Sequence, residues 1–498
     1  MNEVEYTDSV KVTGGLIRGY KGRSGVRIFK GIPYAKAPEG KDRFKWAKEP
    51  EGWMGVKDCL KFGPSPIQAP LDHTFDRLWT KEFIITNTDC SEDCLSLNIW
   101  APAEDSSLTN SKYPVILYFF GGGFVTGGSS CEIYDGSALA ENKVIYISFN
   151  HRVGNLSLFM NEEIDEFIGE KSGNCNLKDA ITALKWIREN IGSFGGDKDN
   201  ITIWGQSAGA AEVMALCASP LAKGLFKRCI TMGYNNFVKF ARPWFSQKEA
   251  IEASNKLLKD KNMKTEDLFT ASYEFYAEDP KLMNLIVDGM IVTDYCDVFV
   301  KRGDTSDVDM IMGAVTGDVL MGGVFRRDNP DSREKVLEYL KAFFGDDLGR
   351  ILEIYDFENK DLAAFKKDIN YDNLIISQLY FKKERYKAGA KSTHIYFFTH
   401  PMPGPDEAIF GAFHSAEVPY FMDYYSDFRK DYWKEKDFLL GKTLCRFLSS
   451  YVTDGDVTIM ADDEGEGYSY TLISTDEISV KYIDKEKYDL WVRGYERL

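Results

Sequence analysis

The chain has 498 residues, 44% hydrophobic and 28% charged, the balance of an ordinary soluble globular protein and not of a disordered, collagen-like or low-complexity one. A formal net charge of −16 argues against non-specific binding to nucleic acid or to anionic membrane surfaces. No apolar run is long enough for a membrane span.

Met1–Tyr6 has neither a basic stretch nor an apolar run, so no secretion signal is expected. The nine cysteines are odd in number and contain no C-x-x-C pair; reduced thiols in a cytoplasmic protein fit best. Cys90 and Cys94 lack a second ligand pair, so neither a metal nor another cofactor is expected. Residues 95–101, 114–120 and 143–149 predict strands, rich in β-branched and aromatic side chains. Leu177, Ile181, Leu184, Ile187 and Ile191, three and four apart, predict a helix over 176–193. A strand follows at 200–204, then an apolar helix to about Cys217, then a strand at 227–231. Residues 245–390 read as mostly helical, with one strand at 309–315. A strand at 394–398, a helix at 430–452 and short strands complete the chain. Strands alternating with helices imply a mostly parallel sheet covered on both faces. No linker breaks the composition, so the expectation is one α/β domain over 1–498 with a helical insertion around 245–390.

Gly205-Gln206-Ser207-Ala208-Gly209 sits between a predicted strand and a predicted helix. As a bare string it is weak; in that context a serine is forced onto a strained turn with its hydroxyl exposed, and the glycines let strand and helix approach. Gly121-Gly122-Gly123-Phe124 follows the strand ending at Phe120, where free backbone N–H groups can converge as an oxyanion hole requires. The general base should follow the serine in the chain, on a loop after a late strand. His394 opens an apolar strand and reads as structural, while His414 and His400 rank almost equally by pattern. A carboxylate is needed just past a strand end, and Thr316-Gly317-Asp318 makes Asp318 the natural choice.

Longer stretches resemble the type-B carboxylesterase family, which includes bacterial para-nitrobenzyl esterases, animal carboxylesterases and cholinesterases. They are Phe29–Ala35, Arg43-Phe44, Trp53, Ser91–Asn98, Asn150–Gly154, Ser193–Asp197 and Val287-Asp288-Gly289. In that family the acid lies five residues after a strand-end glycine, and Gly313 plus five is Asp318. Gly411–Tyr420 matches the family's histidine segment, which favours His414 over His400. The resemblance implies an α/β-hydrolase fold and hydrolysis of small carboxylic esters through an acyl-enzyme. Ser207 would be nucleophile, His414 base and Asp318 its orienting acid; Gly122, Gly123 and Ala208 would supply the oxyanion hole. It also implies that Gln206, Phe124 and Phe120 line the substrate pocket, and that Arg43–Glu92 and Arg152–Asp179 are structural ion pairs.

The sequence departs from the family at several points. Gln206 stands where Glu is common, Asp318 where Glu is usual, Val319 where Gly follows the acid, and Phe120 where bacterial members often have His. Pro66 occupies the region of a half-cystine, leaving Cys94 without its usual partner. Met232 replaces a serine that usually joins the polar network of the glutamate matched by Glu417. Some animal relatives are non-catalytic adhesion proteins on the same fold; the presence of Ser207, Asp318 and His414 together argues against that alternative.

Overall fold

Residues 113–119 read Tyr-Pro-Val-Ile-Leu-Tyr-Phe and form a strand buried along nearly its whole length, as an apolar run does when both faces of its sheet are covered. The computed structural model describes residues 4–69, 83, 86, 89–103, 112–234, 244–277, 283–318, 324–325, 330–390, 392–405, 407–461 and 467–497. Val319 lies outside the described residues.

The chain divides into two compact units. One comprises Met1–Ile230, Trp244–Thr293 and Val418–Asp456; the other comprises Thr231–Pro243, Asp294–Glu417 and Val457–Leu498. Segments between 245 and 390 therefore supply helices to both units, among them Gln247–Asp260 to the first and Leu362–Lys387 to the second.

The first unit carries β1 (Val10–Val12), β2 (Gly15–Arg18), β3 (Tyr20–Lys21), β4 (Arg27–Pro33), β5 (Val56–Asp58) and β6 (Ser96–Ala101). Then follow β7 (Tyr113–Phe119), β8 (Ile145–Phe149), β9 (Gly196–Gln206), β10 (Arg228–Met232), β11 (Phe245–Ser246) and β12 (Ile286–Val287). Only the last two residues of β10 fall in the second unit. Its main sheet runs in the order β10-β9-β7-β8-β6-β4-β3. β7 pairs parallel with β8 and β9, whereas β6–β8, β4–β6 and β3–β4 are antiparallel. The second unit carries β13 (Asp309–Val315), β14 (Thr393–Phe398), β15 (Ser469–Ile473) and β16 (Ile478–Tyr482). There β13–β14 and β14–β15 are parallel and β15–β16 is antiparallel. The fold is an α/β-hydrolase fold with a large mixed sheet, parallel in the runs that carry the motifs and antiparallel towards the strands at its margins.

The predicted strands and helices are recovered with shifts of a few residues at their ends. β9 begins at Gly196, before the expected Asn200, because Tyr113↔Gly196 pairing draws a polar Gly-Asp-Lys-Asp stretch into the ladder. The small sheet β1-β2-β5 and the helix Lys485–Arg497 are not anticipated by the sequence pattern. The helix Ala208–Ala218 is buried on nearly every side, which is why it reads as uniformly apolar and not as amphipathic. No helix among the described residues is long and apolar enough to cross a membrane.

Candidate active site

β9 ends at Gln206 and the next helix begins at Ala208, so one residue makes the whole turn. That residue, Ser207, has φ 58° and ψ −122°, a conformation that L side chains rarely adopt. Both flanking glycines are required sterically. An added Cβ on Gly205 would stand 2.3 Å from the Gly209 carbonyl oxygen, and one on Gly209 would stand 2.2 Å from the Phe119 carbonyl oxygen. Helix, β9 and the end of β7 thus meet backbone to backbone. Ser207 is partly exposed between buried neighbours, at the N-terminal end of a helix whose first N–H groups have no intrahelical acceptor.

The loop after β7 lies against this turn. A Cβ on Gly121 would be 2.5 Å from Gln206 Oε1 and 3.0 Å from Ser207 Cβ. Gly122, Gly123, Phe124 and Gly127 all have positive φ, at 129°, 63°, 68° and 111°. Around Gly123 a Cβ would meet nothing within 4 Å, so this stretch of backbone borders open space. Gln206 is buried, and the Phe120 ring stacks on His151 at 4.3 Å and 4°.

In the second unit, Asp318 stands at the end of the short turn after β13, its carboxylate fully buried. One carboxylate oxygen accepts from the Val315 N–H at 3.0 Å. The other is hydrogen-bonded to Nδ1 of His414, whose ring is 15% exposed. The backbone stitches the two segments together: Gly317 N–H donates to the Ala412 carbonyl at 2.7 Å, as does the Thr316 hydroxyl at 3.3 Å. A Cβ on Gly317 would collide with Phe413 Cα at 2.6 Å, so glycine is needed before the acid. Ser415, next to the histidine, has φ 83°. Asp318 therefore holds the Nδ1 edge of His414 and fixes the orientation of its ring.

The other described histidines are engaged elsewhere. His394 Nδ1 lies 3.3 Å from the Ala461 carbonyl and His400 Nδ1 lies 3.2 Å from the Thr475 hydroxyl. His151 Nε2 lies 3.4 Å from Glu212 on the helix after Ser207, and Asn176 donates to the same carboxylate at 2.7 Å. Burial pushes the Glu212 carboxyl above its ordinary range, while His151 and Asn176 pull it down. Arg152 grips Asp179 bidentately at 2.8 and 2.6 Å, and Arg43 grips Glu92; both are the expected structural pairs.

Glu417 is fully buried, and neither of its carboxylate oxygens has a hydrogen-bond partner among the described residues. Burial, then the charge of Asp318, pushes its carboxyl well above the ordinary range, which favours the neutral acid. Tyr396, over Gly313 on the neighbouring strand, faces the same charges. Cys94 is a buried free thiol, as are most of the other cysteines.

One contributor escapes the sequence reading. Gln68, 5% exposed, hydrogen-bonds the far end of the Gly121–Gly127 loop. Nothing in periodicity marks a lone glutamine, so only the fold reveals it.

The profile of the Carboxylesterase family matches residues 6–467. The chain belongs to that family. It is 41% identical over 206 residues to "Acetylcholinesterase 4" of Caenorhabditis briggsae, 41% of this chain and 32% of that protein. It is 40% identical over 220 residues to "Para-nitrobenzyl esterase" of Bacillus subtilis (strain 168), 43% of this chain and 41% of that protein. The match thus spans less than half the length of either relative. A solved structure of "PNB ESTERASE" superposes with a TM-score of 0.74 over 97% of this chain and 99% of its own, at 24% identity, a likeness of fold.

Proposed function

We propose that this family member hydrolyses carboxylic esters through Ser207, His414 and Asp318. The observation that carries the proposal is the Ser207 turn, held at φ 58° between two glycines where an added Cβ would collide with backbone. Such strain persists where the surrounding structure enforces it, and here it raises one hydroxyl at a helix N-terminus. The Asp318–His414 pair supplies a base with a fixed tautomer. The names of the two relatives, both esterases, point the same way.

In this reading, Ser207 Oγ attacks the ester carbonyl carbon while His414 Nε2 takes its proton. The carbonyl oxygen becomes an oxyanion held by the N–H groups of Gly122, Gly123 and Ala208. Collapse breaks the bond to the alcohol, which leaves with the proton from His414. Water, deprotonated by the same imidazole, then attacks the acyl-serine; the bond to Oγ breaks, His414 returns that proton to Ser207, and the acid is released. Asp318 stabilises the imidazolium formed in each half. Gln206, Phe120 and Phe124 line the substrate side, and Gln206 leaves it without the negative charge a glutamate would bring.

The test is Ser207→Ala assayed on p-nitrophenyl esters. A fall on the order of a million-fold in kcat with an unchanged circular dichroism spectrum is expected, together with labelling of Ser207 by a serine-directed organophosphate. Retained turnover, or robust labelling of another serine, refutes it.

A further inference from the structure

Gln68 touches no reacting atom, yet three of the four hydrogen bonds of its side-chain amide converge on one place, the Thr126–Gly127 end of the loop. Its Oε1 accepts from the Gly127 N–H at 2.8 Å and from the Thr126 hydroxyl. Its Nε2 donates to the Gly127 carbonyl at 2.7 Å and to the Pro66 carbonyl at 3.1 Å. Every polar atom of the amide is spent on the backbone and hydroxyl of the loop end or on its own turn.

That loop end is pressed against the glycines of the oxyanion stretch. The missing Cβ of Gly122 would lie 2.0 Å from the Thr126 carbonyl oxygen, and the missing Cβ of Gly127 would lie 2.6 Å from the Gly121 carbonyl oxygen. Where Thr126 and Gly127 sit therefore dictates where Gly121 and Gly122 sit. Within the loop, Val125 and Thr126 both donate to the Gly122 carbonyl, at 3.1 and 3.2 Å, and Gly154 N–H holds the Phe124 carbonyl at 2.7 Å. Phe124 itself is an aromatic residue at φ 68°, a conformation that needs outside restraint. A loop with four positive-φ residues and no ladder has few ways to hold two N–H groups on one point; the Gln68 amide is the restraint on its C-terminal end.

We infer that Gln68 is a positioning residue that sets the oxyanion-hole N–H groups through the Thr126–Gly127 segment. The inference rests on the ester-hydrolase reading of the site. It concerns transition-state geometry, so its loss acts on kcat and leaves ground-state binding and the histidine's titration alone.

The experiment compares the full-length wild type with Gln68→Ala, Gln68→Met and Thr126→Val. Each is assayed on p-nitrophenyl acetate and with an alkyl trifluoromethyl ketone, which adds to the serine and presents an oxyanion. Misplacing donors by about an ångström costs roughly 100-fold, so Gln68→Ala and Gln68→Met are expected to lose about that in kcat with KM within about three-fold. Ketone affinity falls in step with kcat/KM, and the acidic limb of the pH profile stays put. Thr126→Val, which removes one bond and no bulk, loses several-fold. Gln68→Met keeps the volume, so wild-type kcat in that variant overturns the inference, as does a loss that appears in KM alone. Should both Gln68 variants fail to fold, an unaltered kcat and ketone affinity in Thr126→Val overturns it. Hydrogen exchange at residues 125–127 separates the two readings. Faster exchange in Gln68→Met shows the restraint even if wild type has no Ser207-dependent esterase activity, an outcome that defeats the functional proposal instead. Unchanged exchange with unchanged kcat overturns the restraint itself.

Discussion

The segment that carries Ser207 and the segment that carries Asp318 and His414 solve the same problem with different materials. Around Ser207 the structure is held by backbone contact: Gly205, Gly209 and Gly121 mark places where main chains meet with no room for a Cβ. Around His414 it is held by polar contacts: a fully buried Asp318 carboxylate on the imidazole and two donors, the Gly317 N–H and the Thr316 hydroxyl, on the Ala412 carbonyl of the histidine loop, with the buried Glu417 carboxyl close by. Both regions can be broken by adding a methyl group, the second at Gly317; only the second can also be broken by changing a proton. In the proposed reading, the nucleophile needs a fixed position, which close backbone contact supplies, whereas the base needs a fixed tautomer, which the Asp318 carboxylate supplies.

The comparison is broken most severely on its electrostatic side. Asp318→Asn keeps the volume but offers the imidazole the wrong partner, so kcat on p-nitrophenyl acetate is expected to fall by roughly 10⁴ with the fold intact. If most activity survives, a different carboxylate orients His414.

The steric side is next. Gly209→Ala puts a methyl group 2.2 Å from a backbone oxygen that cannot rotate away, and is expected to cost about 3 kcal/mol or more, read from denaturant unfolding. Gly123→Ala meets open space and carries only the penalty of its φ of 63°, about 1–2 kcal/mol. Equal costs for the two would show that conformation, not close approach, is what these glycines provide.

Glu417 sharpens the contrast through pH. Its folded carboxyl titrates above its unfolded value of about 4.3. Below that value both states hold the proton. As pH rises above it, the unfolded chain releases a proton that the folded chain retains, and folding stability falls by up to about 1.4 kcal/mol per pH unit. Glu417→Gln removes the titration, so its Tm advantage over wild type is expected to grow from pH 4 to pH 8. Parallel Tm curves would mean that the carboxyl is not held neutral.

The smallest effect is expected at Gln206. Glu in its place adds a negative charge that favours imidazolium, raising the acidic-limb pKa of kcat/KM by about a unit or less at high effective dielectric. Wild type, lacking that charge, is expected to show little preference for choline esters over neutral esters of equal size. An unmoved or lowered limb, or a strong choline preference, would show that position 206 does not set the charge of the site.

Much of this was legible in the chain. The run Val115–Phe119, buried on both faces, and the spacing of Leu177 to Ile191 announce a covered sheet and its helix, because burial periodicity is a local property. Gly205 and Gly209 bracket Ser207 because close approach forbids any other residue, and that constraint is written one letter at a time. Thr316-Gly317-Asp318 puts a carboxylate just past a predicted strand end, a position that residue order alone displays.

The choice between His400 and His414 was not legible in pattern alone. Both are histidines on loops after one strand, and only folding gives one the Asp318 carboxylate and the other a threonine hydroxyl. The same holds for Gln68, for the β1-β2-β5 sheet and for the polar start of β9. Each depends on a partner distant in the chain, and a residue's own neighbours carry no record of a pairing whose energy exists only once the two segments are brought together.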